Sequence, residues 1–320
     1  MKPEHTKPGQ FPDSDRENRN RSLKVYSALF LAILFWGGSF PAIKIVMTGF
    51  TPISYVFFRF FGAAFIFGIL MIKKFRRLKP STHVKLALMA LFHPTLYFIF
   101  ESLGLQYTSA SSASILVAAL PGIVALLARF LLKEKLNVQQ WSGVLLSVVG
   151  VILLAGFDDN PVYSESSMLG NGLVLLAILS AAVYMIFARH LSSILSAVEL
   201  TSYQVFYSIL YLFPVFLSHS PNVNWESING ASMLALLFLI LGATMIAFLS
   251  YNYAISCIDV SRAAVFLNGV PVVAIILSSF VLHEGLGLLQ LTGGTVVIAG
   301  VTLTNVRRRG REVNRRNIVS

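Results

Sequence analysis

Hydrophobic residues run along this chain in long unbroken blocks, without the alternation of a half-buried strand or the narrow stripe of a surface helix. The blocks cover 26–47, 52–72, 86–105, 110–132, 138–156, 170–188, 197–217, 232–256, 263–282 and 286–305. Each comes close to the roughly 20 residues that carry a helix across about 30 Å of hydrocarbon. Barrel strands would be shorter and would alternate polar with apolar positions. The pattern predicts an all-α integral membrane protein of ten transmembrane helices.

The blocks are also duplicated. A shift of 150 places lays 111–154 on 261–304 and matches thirteen of forty-four positions, among them Pro121 with Pro271, Glu134 with Glu284, Gly143 with Gly293 and Gly150 with Gly300. For the first two blocks of each half a shift of 145 fits better and places Leu31–Leu34 on the identical run Leu176–Leu179. Five spans per half is an odd number, so the second copy must thread the bilayer in the opposite sense. The expected organisation is a disordered cytoplasmic arm over 1–25, repeats over 26–156 and 170–305, an extracytoplasmic linker at 157–169 and a basic cytoplasmic tail at 306–320. Two inverted five-helix repeats are a way of building two alternating states around one central site.

Composition adds an exclusion: 56% hydrophobic and 12% charged residues rule out a soluble globule, whose charged fraction is about 25%. The net charge of +11 matters through its placement. Basic residues fill the arm, the connection after span two (Lys73, Lys74, Arg76, Arg77, Lys79, Lys85), the later even-numbered connections (Lys133, Lys135, Arg189, Arg262) and the tail. The odd-numbered connections carry none, and 157–169 holds only the acids Asp158, Asp159 and Glu165. By the positive-inside rule both termini are cytoplasmic, with Glu134 inside and Glu284 outside. This pattern accounts for the charge without nucleic acid, for which there is no aromatic-interleaved basic fold. Cys257 is the one cysteine, so neither a disulfide framework nor a cysteine-based metal cluster is expected, and no cofactor is implied.

Three pieces of sequence carry a family likeness: Trp36-Gly37-Gly38-Ser39-Phe40 ahead of Lys44; Phe58-Arg59-Phe60 in span two; and the string from Leu105-Gln106-Tyr107-Thr108-Ser109-Ala110 through Pro121 to Glu134, with Gly143 and Gly150. Together, and repeated with inversion, they resemble the ten-span, two-repeat EamA-type members of the drug/metabolite transporter superfamily over about 26–305. The resemblance implies export or exchange of small metabolites through a central cavity lined mainly by spans one, three, four, six, eight and nine.

Ionisable groups at membrane depth are functional candidates because an unpaired charge there costs several kcal/mol. His93 lies roughly 12 Å beyond Lys85 at about 1.5 Å of rise per residue, close to the midplane. Its ordinary pKa of about 6.5 suits a proton relay; a neutral imidazole bonded to a neighbouring helix is the alternative. Arg59 and Glu101 share the outer half and are expected to pair, the alternatives being recognition of a substrate carboxylate by Arg59 and proton coupling by Glu101. Lys44 either snorkels to the surface or faces the cavity. Trp36, Ser39, Tyr184, Tyr251 and Asn252 fall on spans that the family uses for its cavity. Tyr251 is the counterpart of Glu101, and Asn252 of Ser102, which suggests a polar belt at that level.

Pro121 and Pro271 fall near the middle of spans four and nine, where each frees the carbonyl four residues earlier, Val117 and Leu267. They are predicted hinges, with Asn268 a ligand contact beside the second. Gly143 with Gly150, and Gly293 with Gly300, are seven residues apart and mark close-packing faces on spans five and ten. Glu134 and Glu284 read as structural groups at helix ends.

The function expected is a carrier for small metabolites, such as amino acids or related amphipathic compounds, working by alternating access as a monomer in the cell membrane, a bacterial inner membrane. An intramembrane enzyme would need a nucleophile–base pair or metal ligands at depth. Neither an H-E-x-x-H nor a G-x-S-x-G motif occurs, and His283-Glu284 lacks a second histidine one turn on. A sensor or scaffold would be expected to carry a sizeable soluble module. Span one and its copy, span six, hold no acid, so drug-for-proton antiport through a first-span glutamate, the device of the small multidrug resistance proteins, is not supported.

Overall fold

The computed structural model describes residues 13–72, 77–120, 122–124, 127, 138–156, 167–219, 225–258, 263, 266–285 and 287–305. Pro121, Glu134, the tail at 306–320 and most of the linker at 157–169 lie outside them. Every regular element among the described residues is helical. In chain order these are α1 (Asp13–Val46), α2 (Pro52–Met71), α3 (Pro80–Ala90), α4 (Tyr97–Gly104), α5 (Ala110–Val117), α6 (Val138–Gly156), α7 (Ser167–Leu191), α8 (Ala197–His219), α9 (Gly230–Phe238), α10 (Ala247–Cys257), α11 (Gly269–Leu282) and α12 (Leu288–Asn305). A short 3-10 turn, Trp225–Ser227, precedes α9. Wide π-helical turns, Leu91–Leu96 and Leu239–Ile246, join α3 to α4 and α9 to α10.

Six helical stretches are long and apolar enough to cross a membrane: Ser22–Val46, Pro52–Met71, Pro80–Gly104, Ser167–Met185, Ala197–His219 and Gly230–Cys257. Shorter apolar runs lie in α5, α6, α11 and α12. The arm expected to be disordered over 1–25 is helical from Asp13. Its sequence favours this, because Asp15 precedes Arg19 and Glu17 precedes Arg21 at four-residue spacing, the order that supports a helix.

Polarity is inside out. Phe65, Leu210 and Phe280 are 66, 67 and 78% exposed, whereas Arg59 and Glu101 are 0 and 2% exposed. An outer surface of this kind belongs against lipid. Packing interleaves the two halves: α2 lies on α8, where Phe57 and Phe216 stack with centroids 4.2 Å apart, α4 lies on α7, α1 on α10 and α11, and α6 on α12. Two crossings depend on missing side chains. A Cβ on Gly150 of α6 would stand 2.6 Å from Val297 N and 2.8 Å from Gly293 O of α12; one on Gly104 would stand 2.8 Å from Gly170 O. Gly143 and Gly300 are buried on the same two helices, α6 and α12.

One end of the bundle is tied by hydrogen bonds between connections that are distant in sequence. Lys44 Nζ donates to the carbonyls of Leu105 and Thr108. Thr108 donates to Asn171 Oδ1 at 2.8 Å, Ser227 to Gly49 O at 3.1 Å, and Asn229 Nδ2 to Thr48 Oγ1 at 3.5 Å. The Glu284 carboxylate accepts from the backbone N–H groups of Ala110 and Ser111 at 3.3 and 3.2 Å. It thus caps the start of α5, where four N–H groups lack intrahelical partners and the helix dipole favours an anion.

The candidate substrate cavity

Each half breaks its helices at equivalent places. His93 has extended backbone angles, φ −147° and ψ 116°, as steric pressure from a following proline demands, and Pro94 has no N–H to offer Ala90. The second π turn, 150 residues on, has Thr244 in place of Pro94 and is held from outside. Trp36 Nε1 donates to Ala243 O at 3.1 Å, and Arg59 Nε to Thr244 Oγ1 at 2.6 Å. The first π turn is held reciprocally, by Gln204 Nε2 donating to His93 O at 3.0 Å. Arg59 and Gln204 are counterparts at the 145-residue shift, so each half's second span secures the widened segment of the other half's third span.

A second pair of breaks falls at Ala118–Ala119 and Leu267–Asn268, which are turns between helical residues. Pro271 consequently sits in the first turn of α11 and not in mid-helix. The Leu267 carbonyl, expected to be free, accepts from Val270 N at 2.9 Å, because the tightened turn brings up a nearer donor than the one proline removed.

Between these breaks lies a cavity of about 70 Å³. Its wall comes from α1, α4, α5, α7, α10, the π turn at His93 and the start of α11. Of the ten residues expected there, Trp36, Ser39, His93, Glu101, Tyr184 and Tyr251 line it, and four do not. Lys44 is held by two carbonyls at the end of the bundle, where the last turn of α4 leaves acceptors open. Asn252 donates to Thr201 at 2.8 Å and lies behind the wall. Asn268 precedes α11 between the lining residues Leu267 and Val270, with its Oδ1 buried and unpartnered. Arg59 lies with its guanidinium carbon 4.2 Å from the centroid of Phe98; Phe98 lines the cavity and Arg59 does not.

The expected Arg59–Glu101 ion pair is not formed. Their charges lie close enough to interact, but Arg59 Nη1 and Nη2 and Glu101 Oε2 have no hydrogen-bond partner. Glu101 Oε1 accepts from the Tyr97 hydroxyl at 2.8 Å. Phe98, stacked under the guanidinium, keeps it out of the wall in which the carboxylate stands. At His93, Gln204 Nε2 also lies 3.4 Å from Nδ1.

Unforeseen from the sequence was the density of rings around the cavity. Tyr97, Phe98 and Phe248 join Trp36, His93, Tyr184 and Tyr251, with His93 centroids 4.7 Å from those of both Tyr97 and Tyr184 and Trp36 5.2 Å from Tyr251. Tyr97 and Glu101 are four residues apart on one helix face, a spacing that could have flagged the first of them. Phe98 and Phe248 carried no such signal, being two of 25 phenylalanines. Among the described residues no group of three His, Cys, Asp or Glu stands together as a metal site.

Comparison with known proteins gives a consistent result. The family described as "EamA-like transporter family" matches residues 23–156 and again 168–306. Two uncharacterized transporters of Archaeoglobus fulgidus are 29 and 30% identical over 287 residues each, covering 90 and 89% of this chain and 100 and 98% of those proteins. The uncharacterized transporter YdfC of Bacillus subtilis is 27% identical over 294 residues, 90% of this chain and 93% of its own length. A solved crystal structure superposes with a TM-score of 0.60 at 18% identity, covering 87% of this chain and 95% of the other; that likeness concerns the fold alone.

Proposed function

Because the chain belongs to the EamA-like transporter family, we propose that it is a secondary transporter, moving small amphipathic metabolites by alternating access of one central cavity. The observation that carries this reading is the cavity's position: its wall is built from both matched segments, with Trp36, His93 and Glu101 from the first and Tyr184, Phe248 and Tyr251 from the second. A site shared by two copies of one unit can open to either side when the copies rock against each other.

The proposed topology is ten crossings in two inverted five-helix repeats, with both termini cytoplasmic. It is supported by the reciprocal contacts of Arg59 and Gln204 and by the pairing of α2 with α8 and α6 with α12, counterparts in the two halves. The gathering of connections at 47–51, 105–111, 171, 227–229 and 284 at one end also supports it. The helix breaks ahead of Pro121 and Pro271 are the proposed hinges. The capping contact of Glu284 joins the two halves at the outer end, and Glu134 is its proposed inner counterpart. The protein acts as a monomer, since an inverted pair is present within one chain, and it resides in the cell membrane. A helical bundle with an apolar exterior suits a bacterial inner membrane.

Purified protein in liposomes tests the reading. Preloaded vesicles should accelerate uptake of at least one compound in a broad labelled panel of amino acids, amines and small organic acids. Hydrolysis or group transfer with no accelerated uptake of any panel member would mean an intramembrane enzyme instead.

A further inference from the structure

Glu101 is 2% exposed, lines the cavity and has one carboxylate oxygen, Oε2, without a partner. Its counterpart in the other half, Tyr251, also 2% exposed, lines the same cavity with its hydroxyl unpartnered. Orphaned buried polar atoms are rare in folded proteins, and each calls for a partner that is absent or a functional role. Here two of them occupy equivalent places in the two halves and belong to residues that line one cavity, and both are oxygens able to accept.

The rest of the wall narrows the chemistry. Trp36, Tyr97, Phe248 and Tyr184 contribute rings to it, and a ring face attracts a cation electrostatically, more strongly where water is excluded. Among the described residues, Glu101 and His93 are the acidic and basic side chains in the wall. The cation that could receive a carboxylate, Arg59, stands on the far side of Phe98. A ligand carboxylate in this cavity would meet Glu101 and rings, with Arg59 outside the wall. A ligand ammonium, with three donors, suits the two orphan acceptors.

We infer that this cavity selects an amphipathic amine bearing one positive charge and no carboxylate, its ammonium at Glu101 and Tyr251 and its apolar body against Trp36 and Phe248. This rests on the transporter reading above and narrows its substrate class from amino acids and related compounds to organic amines.

Three labelled compounds with the same phenyl ring and two-carbon linker test it: phenethylamine, phenylalanine and 3-phenylpropanoate, each measured by counterflow into proteoliposomes, with protein-free vesicles subtracting passive leak. Phenethylamine uptake should exceed that of the other two at least tenfold. Glu101→Gln should lower it at least tenfold, Glu101→Asp should restore part of it, and Tyr251→Phe should lower it by a smaller factor, with thermal melting in detergent within a few degrees of the unsubstituted protein. Phenylalanine or phenylpropanoate crossing as fast as phenethylamine overturns the inference and leaves the transporter reading standing. So does failure of all three while other members of the broad panel cross, or full amine uptake by Glu101→Gln. If no panel member crosses, the transporter reading falls and this inference with it.

Discussion

Arg59 is the largest fully buried side chain among the described residues, yet only its Nε is hydrogen-bonded. A buried guanidinium with two unpartnered nitrogens costs several kcal/mol in desolvation, which one hydrogen bond to Thr244 offsets only in part. That imbalance predicts a role for Arg59 in transport beyond its bond to Thr244. Arg59→Met should lower the counterflow rate at least tenfold; melting many degrees lower with transport intact would assign Arg59 to the scaffold alone. The residue was legible as an oddity, a cation within an apolar block. Its position behind Phe98 was not, because sequence places a residue along a helix and leaves its direction around the axis open.

Helices here carry two kinds of information, only one of which shows in a hydropathy profile. The seven-residue glycine spacing marks where α6 and α12 approach, and the contact itself is backbone to side-chain position: Val297 N and Gly293 O against the empty Cβ site of Gly150. Backbone cannot yield as a flexible side chain can. Gly150→Leu should push the two helices apart at a cost of about 1–3 kcal/mol, typical of overpacking, and should lower the melting temperature measurably. Gly172→Leu is the matched control, since nothing lies within 4 Å of the Cβ site there, and it should melt no lower; equal effects from both would show the α6–α12 contact to be unimportant. The π turns show the other kind. Pro94 announces the first, whereas the second has no proline and depends on Trp36 and Arg59, which lie more than 180 residues away in sequence.

At the scale of the whole molecule, the proposed inversion is the property from which the proposed alternating access would follow. In a background with Cys257→Ser, a cysteine placed at Gly285, where nothing lies within 4 Å, should react with a membrane-impermeant maleimide from outside the cell. A cysteine at Glu134 should react only after the membrane is opened. Both labelled from one side would refute two inverted five-span halves, whatever the transport assays report. Apolar side chains such as Phe65 and Phe280 cover the exterior, and the polar atoms without partners are turned inward. That arrangement suits a protein whose solvent is lipid and whose one wet region is its cavity.

By itself the sequence determined the solvent, the helical class, the duplication and most of the polar residues that line the cavity. Hydropathy, repetition and charge asymmetry are one-dimensional properties, and spans this apolar have few alternatives in lipid. Only the tertiary structure decided which candidates share a site. It tied Asn252 to Thr201, held Lys44 on two carbonyls, set Arg59 behind Phe98, and left buried oxygens of the cavity-lining Glu101 and Tyr251 without partners. The physical reason is that lipid-facing and cavity-facing surfaces are both largely apolar here. The rotation of each helix is therefore set by contacts with its neighbours, and no hydrophobic pattern along one helix records it.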